Sequence, residues 1–443
     1  MERVDLMIRN AIIIPISRRT IFKGSICIMG DRIVAVGKDD DIMSRYRAER
    51  YIDARGKAAL PGFVNAHMHE CLMRGFCEDL PLMRWLEEVC FPKDRVFSRE
   101  DMRAAALLNQ LEMIKSGITT FIDIFRFQEE AAKVAMISGL RAVLSSQIID
   151  TPFKIEDISS NENLVKNWNG KAGGRIITWF GAHSPYACTK ETLLKVAELA
   201  NKYNVGIHIH ISETLDEVKL IMKRYGKRPV EYLNEIGFLS DRVHAAHCVH
   251  LSEKEMKILR DMNVSVAYNP TSNMKLASGI APIPQLLKLG VTVGLGTDSI
   301  LSNNNLDMFE EMRIGSFLQK LDKKDPSVLS CYEMLRMATL EGAKCLNLEH
   351  EIGSIDVGKK ADLILVDLRK PHLHPIFIGD VSNIVENLVY SAYAADVDTT
   401  IVDGKILMEN REVKTLNEEE VYELAQKRSL SLYKRMRTMV RGE

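Results

Sequence analysis

Pro61-Gly62-Phe63-Val64-Asn65-Ala66-His67-Met68-His69 is an apolar run that stops on two histidines. Near-continuous apolar residues are what a strand of a parallel sheet needs when both its faces are covered. Seven further runs of this kind follow: Thr119–Ile124, Arg141–Ile149, Ile176–His183, Val205–Ser212, Val243–Val249, Val264–Asn269 and Val291–Asp298. Several are separated by amphipathic stretches such as Lys190–Lys202 and Glu253–Asp261, whose apolar residues recur every three or four positions. Eight strands with helical crossovers in ~300 residues predict an α/β fold of the (β/α)8 TIM-barrel type. A doubly wound parallel sheet is the competing arrangement.

Outward from this centre both chain ends read as β-rich. Leu6–Ile14, Gly24–Met29 and Arg32–Val36 are short apolar runs divided by turn signals such as Gly30-Asp31. Ala361–Asp367, Leu388–Tyr393 and Asp398–Lys405 behave alike at the far end. Neither end carries enough strands for a core of its own, so the two are expected to join in one small β-domain. The expected organisation is 1–60 and 356–415 in that domain, 61–355 in the barrel, and 416–443 as a charged amphipathic C-terminal helix.

The 443 residues carry 59 Lys and Arg against 60 Asp and Glu, a net charge of −1. A hydrophobic fraction of 46% with 27% charged residues is that of a soluble globular protein. Near-neutral charge offers no footprint for nucleic acid or for an anionic membrane surface, so neither is expected as a partner. No stretch approaches the ~18 apolar residues of a spanning helix. The start, MERVDLMIRNAIIIPISRRT, places acidic residues where a signal peptide needs basic ones. Cys27, Cys71, Cys77, Cys90, Cys188, Cys248, Cys331 and Cys345 form no C-x-x-C pair and read as reduced, mostly buried thiols. The expected location is the cytoplasm.

In a barrel of this type the chemistry sits where strands end. The first strand ends in His67 and His69, which alternation places on one side. The fifth runs Gly206-Ile207-His208-Ile209-His210-Ile211-Ser212-Glu213, the sixth ends Ala246-His247-Cys248-Val249-His250, and the eighth ends Gly294-Leu295-Gly296-Thr297-Asp298. Imidazoles with one carboxylate suit Zn²⁺ or Fe²⁺ with a coordination position left open. Each part also has a plain structural reading: an exposed H-x-H, a packed His208, structural His244 and His250, and an Asp that caps a turn. Their recurrence at the ends of four strands favours a metal centre. Cys71 and Cys248 flank proposed ligands and read as core.

Pro61–His69, His210-Ile211-Ser212-Glu213, Ala246-His247-Cys248-Val249-His250-Leu251 and Gly294-Leu295-Gly296-Thr297-Asp298-Ser299 resemble the amidohydrolase superfamily, in its branch of aminoheterocycle deaminases and triazine hydrolases. Gly353–Ile364 resembles the return strand of that family's small composite β-sandwich. The resemblance implies His67, His69, His210 and Asp298 as ligands of one divalent ion, Zn²⁺ ahead of Fe²⁺. It implies that His247 orients, or helps deprotonate, a water whose pKa zinc brings to about 7, and that Glu213 shuttles a proton to the ring nitrogen. Asp298 is implied as a proton acceptor besides ligation. The fourth strand ends Phe180-Gly181-Ala182-His183-Ser184-Pro185-Tyr186 without a lysine to bridge two ions, so a mononuclear site is expected.

His183-Ser184-Pro185-Tyr186, Tyr268–Gly279, Ser302–Phe309 and Glu78-Asp79-Leu80-Pro81-Leu82-Met83-Arg84-Trp85-Leu86 are similar to deaminases of methylthioadenosine and S-adenosylhomocysteine. That implies His183 against the purine, Trp85 as a loop anchor or pocket wall, and Asp94 where the family has a ribose-binding glutamate. Two departures stand out. The loop Glu70–Gly75 is about two residues short by this resemblance, and Asp94 is one methylene shorter than glutamate, ~1.5 Å less reach. The expected activity is hydrolytic deamination of an adenosine-type nucleoside, with an aminotriazine, aminopyrimidine or pterin hydrolase as the alternative and a non-catalytic scaffold as the outsider. The expected partner is therefore a small molecule, and a homo-oligomer is only the family's habit.

Overall fold

The computed structural model describes residues 1–76, 79–80, 82–379 and 381–441. Eight parallel strands close around an apolar centre: β1 (Phe63–Met68), β2 (Ile118–Phe125), β3 (Arg141–Ile148), β4 (Ile176–Thr178 continued by Phe180–Ala182), β5 (Ile207–Ile211), β6 (Val243–His247), β7 (Ser265–Tyr268) and β8 (Val293–Leu295). The barrel predicted from the apolar runs is the barrel observed, and the doubly wound alternative falls. Each strand is buried almost throughout, which is why no polar alternation marks them.

Closure between β1 and β8 is made by side chains as well as backbone. Asn65 donates from Nδ2 to Thr297 Oγ1 at 2.7 Å and accepts from the Thr297 amide at 3.0 Å. The Asp298 amide donates to the His67 carbonyl at 2.9 Å. A Cβ on Gly296 would stand 2.4 Å from Asn269 Oδ1 and 2.8 Å from the His67 amide nitrogen, so only glycine lets β8 approach β1 this closely. The motif that ends β8 therefore serves closure before it serves chemistry.

The two chain ends build one nine-stranded sheet, ordered 412–413, 405–409, 397–402, 363–367, 57–61, 2–13, 22–29, 32–37, with 46–53 alongside 2–13. All nine strands of the sheet are joined by hydrogen bonds, with 46–53 branching from 2–13 off the main order. Its far strand folds back, since the Ile33 amide reaches the Lys359 carbonyl at 2.9 Å and the Ala361 amide reaches the Asp31 carbonyl at 2.8 Å. Ile8, Ile13, Ile26, Ile28, Leu363 and Leu365 fill the space enclosed. Buried Arg141 ties this domain to the barrel through Asp362, at 2.9 Å and 3.2 Å, and Asp403, at 2.5 Å.

One expected strand is a helix: Leu388–Tyr393 falls in and just after Ile384–Tyr390. The short apolar run there suggested a strand, but buried Ile384, Val385, Leu388 and Val389 repeat at helical spacing. The C-terminal helix spans Glu418–Arg441. Its Arg428 and Arg435 both engage Asp101, which is buried at the start of helix Arg99–Ser116. Arg435 also donates to the Val96 carbonyl at 3.3 Å, and Ser429 to the Leu72 carbonyl at 3.1 Å. The C-terminal helix thus holds down the segment that carries Trp85 and Asp94.

Candidate active site

The ends of β1, β5, β6 and β8 bring His67, His69, His210, His247 and Asp298 together at one mouth of the barrel. Ligand atoms of His67, His69 and Asp298 lie within 4.8 Å of one another, and so do those of His67, His210 and His247. Asp298 Oδ1 stands 3.6 Å from His67 Nε2 and 3.5 Å from His69 Nε2.

Ring orientation shows that the cluster fits a cation. His69 Nδ1 lies 2.5 Å from the Ile124 carbonyl, and His210 Nδ1 lies 2.6 Å from the His183 carbonyl. A carbonyl only accepts, so both Nδ1 atoms carry the hydrogen and both Nε2 atoms present lone pairs. Those two Nε2 atoms face each other at 3.1 Å. Two lone pairs repel at that distance unless a positive ion sits against both. His67 turns Nδ1 to His208 Nε2 at 2.9 Å and leaves its own Nε2 buried without a hydrogen-bond partner. Burial holds the pKa of His67 and His210 well below the ordinary imidazole value, and that of His69 below it, which keeps them in the form that ligates.

Glu213 and His247 stand beside this cluster. Glu213 Oε2 is 3.8 Å from His247 Nε2, and Glu213 Oε1 accepts from Ser278 Oγ at 3.5 Å. Burial raises the Glu213 pKa above the ordinary carboxylate range, against the pull of His247. For His247, burial works downward, but Glu213 and Asp298 outweigh it and raise the pKa. Its Nδ1 meets Asn273 Oδ1 at 2.9 Å. Asp298 is held in turn by Ser272 Oγ at 2.6 Å and the Ser299 amide at 2.7 Å.

A small cavity of about 80 Å³ is lined by His69, His210, Glu213, His247 and Asp298, together with Trp85, His183 and Tyr186. Burial pushes the His183 pKa down to about 3, so the ring is neutral. Asp94 is not among the lining residues. Its carboxylate is enclosed between Arg126 Nη2 at 2.8 Å and Lys93 Nζ at 2.9 Å. His208 and His244 are packing histidines, the latter held by Ser265 Oγ at 2.8 Å and the Ala66 carbonyl at 2.7 Å. His250 meets the Ser278 carbonyl at 2.6 Å. Cys71 and Cys248 are buried thiols whose pKa burial raises, unsuited to nucleophilic work. Cys77, Glu78 and Pro81 lie outside the described residues.

Sequence reasoning did not find Glu217. Its carboxylate is buried and accepts the amides of Ser212 and Glu213, both at 2.8 Å. The signal was present as Thr214-x-x-Glu217, a helix-start pattern, and Thr214 does accept from the Glu217 amide at 3.2 Å. Lys93 and Arg126 were likewise missed. Ser272 and Asn273 sat within a quoted motif without an assigned role.

Residues 58–407 match the model of the Amidohydrolase family. The chain is 47% identical over 428 residues to a 5′-deoxyadenosine deaminase of Methanobrevibacter smithii, covering 95% of this chain and 97% of that one. It is 46% identical over 428 residues to a 5-methylthioadenosine/S-adenosylhomocysteine deaminase of Moorella thermoacetica, covering 96% and 98%. A zinc-bound adenosine deaminase structure from Xanthomonas campestris superposes with a TM-score of 0.93 at 32% identity, covering 98% of this chain and 99% of that one. A zinc-bound atrazine chlorohydrolase from Arthrobacter aurescens gives 0.87 at 25% identity, covering 96% and 99%.

Proposed function

The chain belongs to the amidohydrolase family, and from that premise we propose that it is a metal-dependent deaminase of adenine nucleosides. The substrates proposed are 5′-deoxyadenosine, methylthioadenosine, S-adenosylhomocysteine and adenosine. The observation that carries the reading is that Glu213, raised toward its protonated form, shares one small cavity with His247 and the histidine–aspartate cluster.

His67, His69, His210 and Asp298 would hold one divalent ion, zinc ahead of iron. When bound, such an ion supplies Lewis acidity that makes a water acidic near neutral pH. Asp298 accepts the proton that the attacking water loses, while Ser272 and the Ser299 amide keep its carboxylate in place. His247, steadied through Nδ1 by Asn273, directs the water oxygen to the amino-bearing carbon. Glu213 gives its proton to the neighbouring ring nitrogen as the carbon–oxygen bond forms. The tetrahedral carbon then expels ammonia, which leaves with the proton first taken from the water, and the water's second proton restores Glu213. The net change is nucleoside plus water to the 6-oxo nucleoside plus ammonia.

His183 and Trp85 are proposed as walls for the heterocycle, and Asp94 as a contact to the sugar end. The relatives at 46–47% identity support a nucleoside over a triazine. The seven cysteines among the described residues are free and buried, which supports the cytoplasm as the location. The test is ammonia release by metal-loaded protein from the four nucleosides against aminotriazines and pterins. Turnover of at least one nucleoside ahead of every triazine and pterin is expected. Turnover of none overturns the reading, and two firmly held metal equivalents per chain overturn the one-ion site.

A further inference from the structure

A turn of π-helix, Leu86–Cys90, leads straight into the short helix Phe91–Val96 that carries Lys93 and Asp94. π-turns inside helices concentrate at functional positions. Against this helix lies Arg126, just past the end of β2. The two cations flank one aromatic ring, with Lys93 Nζ 5.1 Å and the Arg126 guanidinium 4.9 Å from the centre of Phe125. That ring in turn lies 6.0 Å from His69. Asp94 and Arg126 both act electrostatically on His183. The cluster is therefore linked to a proposed metal ligand through Phe125 and to a proposed substrate contact through His183.

Its charge does not balance. Lys93 and Arg126 contribute +2 and Asp94 contributes −1, leaving +1 on side chains only 3%, 3% and 9% exposed. Among the described residues neither cation has another carboxylate within ion-pair distance. Arg126 Nη2 is close to Asp94, yet Nε, Nη1 and Nη2 of the guanidinium are all buried without a hydrogen-bond partner. An uncompensated buried charge with idle donors is strongly unfavourable unless something satisfies it. A guanidinium fork is shaped for a carboxylate or a phosphate.

We propose that Lys93 and Arg126 form an anion subsite that selects nucleosides whose sugar end carries an anionic group, a carboxylate or a phosphate. This rests on the deaminase reading, because Glu213, His247 and Asp298 claim the aminated ring and leave the sugar end for the cations. It also gives Asp94 a different task from a glutamate with freedom to bind the ribose. Held ionised and pinned by two cations, Asp94 steers the guanidinium and accepts at most what its remaining lone pairs allow.

The test compares kcat/KM at low salt for 5′-deoxyadenosine and methylthioadenosine with that for adenosine 5′-carboxylate, adenosine 5′-monophosphate and S-adenosylhomocysteine. At least one anionic substrate is expected to exceed 5′-deoxyadenosine by about 10- to 100-fold, as charge-assisted hydrogen bonds imply. The carboxylate and phosphate arms tell which anion the subsite takes. Arg126→Gln is expected to cut the anionic-to-neutral ratio at least tenfold, and Arg126→Lys to restore part of it. Independently of turnover, tryptophan fluorescence titrated with inorganic phosphate or acetate is expected to saturate in the wild type and to need at least tenfold more anion in Arg126→Gln. Good turnover of neutral nucleosides with no anionic preference, and a ratio unmoved by Arg126→Gln, overturns the subsite while leaving the deaminase intact. Saturable anion binding with no nucleoside turned over overturns the deaminase instead.

Discussion

Glu213→Gln keeps the shape of the side chain and removes the one proton the ring nitrogen is proposed to receive. Glu213 contributes no atom to the ligand sets formed by His67, His69 and Asp298 or by His67, His210 and His247, so metal content should stay near wild type. Loss of a positioned proton donor lowers rates by about 10²–10⁴, equivalent to about 3–5 kcal/mol of barrier. A second effect follows from the 3.8 Å between Glu213 Oε2 and His247 Nε2. His247 therefore loses its main upward influence, and its pKa falls in the variant. The assay pairs ammonia release with metal analysis by mass spectrometry and an NMR titration of His247. Near-full activity refutes the proton role. Joint loss of metal and activity would instead make Glu213 part of the metal site.

Asp298→Ala should lower metal content and activity together, because the same carboxylate faces His67 and His69 and is gripped by Ser272; retained metal with lost activity would leave it only a proton acceptor. Glu217→Ala strips two amides of their acceptor, and a shift of ~1 Å in Glu213 costs about 10²-fold in kcat; Glu217→Gln, which can still accept from one amide, should recover part of it in steady-state kinetics. Burial pushes His183 to about 3 and His244 to about 4, so between those values and ~6.5 the unfolded chain binds more protons than the folded one. Folding stability should therefore fall as pH drops through that window, by about 2.7 kcal/mol per pH unit from these two rings where both contribute. Urea unfolding of the metal-free protein from pH 7 to 4.5 measures it, and a flat profile counts against two neutral buried imidazoles.

The barrel and its histidine–aspartate cluster were legible because they violate expectation locally. An apolar strand that ends in imidazole or carboxylate is an anomaly visible in one sequence, and four such anomalies mark one end of a barrel. The Asp94 partners were not legible. Arg126 lies on a different strand end, and nothing in Phe91–Arg95 announces that its carboxylate meets a guanidinium 32 residues away. Orientation was also invisible: only the backbone carbonyls of Ile124 and His183 decide that His69 and His210 present Nε2. Leu388–Tyr393 failed for the opposite reason. The run was read as a short apolar stretch, while the spacing that settled the helix lay partly upstream, at Ile384 and Val385.

The same strand ends hold backbone strain. Ser212, His247, Cys248 and Asp298 all adopt left-handed φ, at 54°, 73°, 49° and 59°, and none is glycine. Each such residue costs on the order of 1–2 kcal/mol, so the four together consume a sizeable share of a typical domain's stability. What fixes them is the neighbouring strand in each case. The Cys248 amide bonds to the Ile211 carbonyl at 3.0 Å, and the Val249 and His250 amides bond to the Ser212 carbonyl at 3.1 Å and 2.9 Å. The Asp298 amide bonds to the His67 carbonyl at 2.9 Å. Strain at β5 is thus locked by β6, and strain at β8 by β1, which are the strands whose side chains must converge. A glycine at these points would relax the backbone but remove the imidazole or carboxylate, or free the turn that aims Glu213. The left-handed turns direct each chain away from its strand just where a functional side chain must face inward, so closure of the barrel and assembly of the site are one and the same packing event.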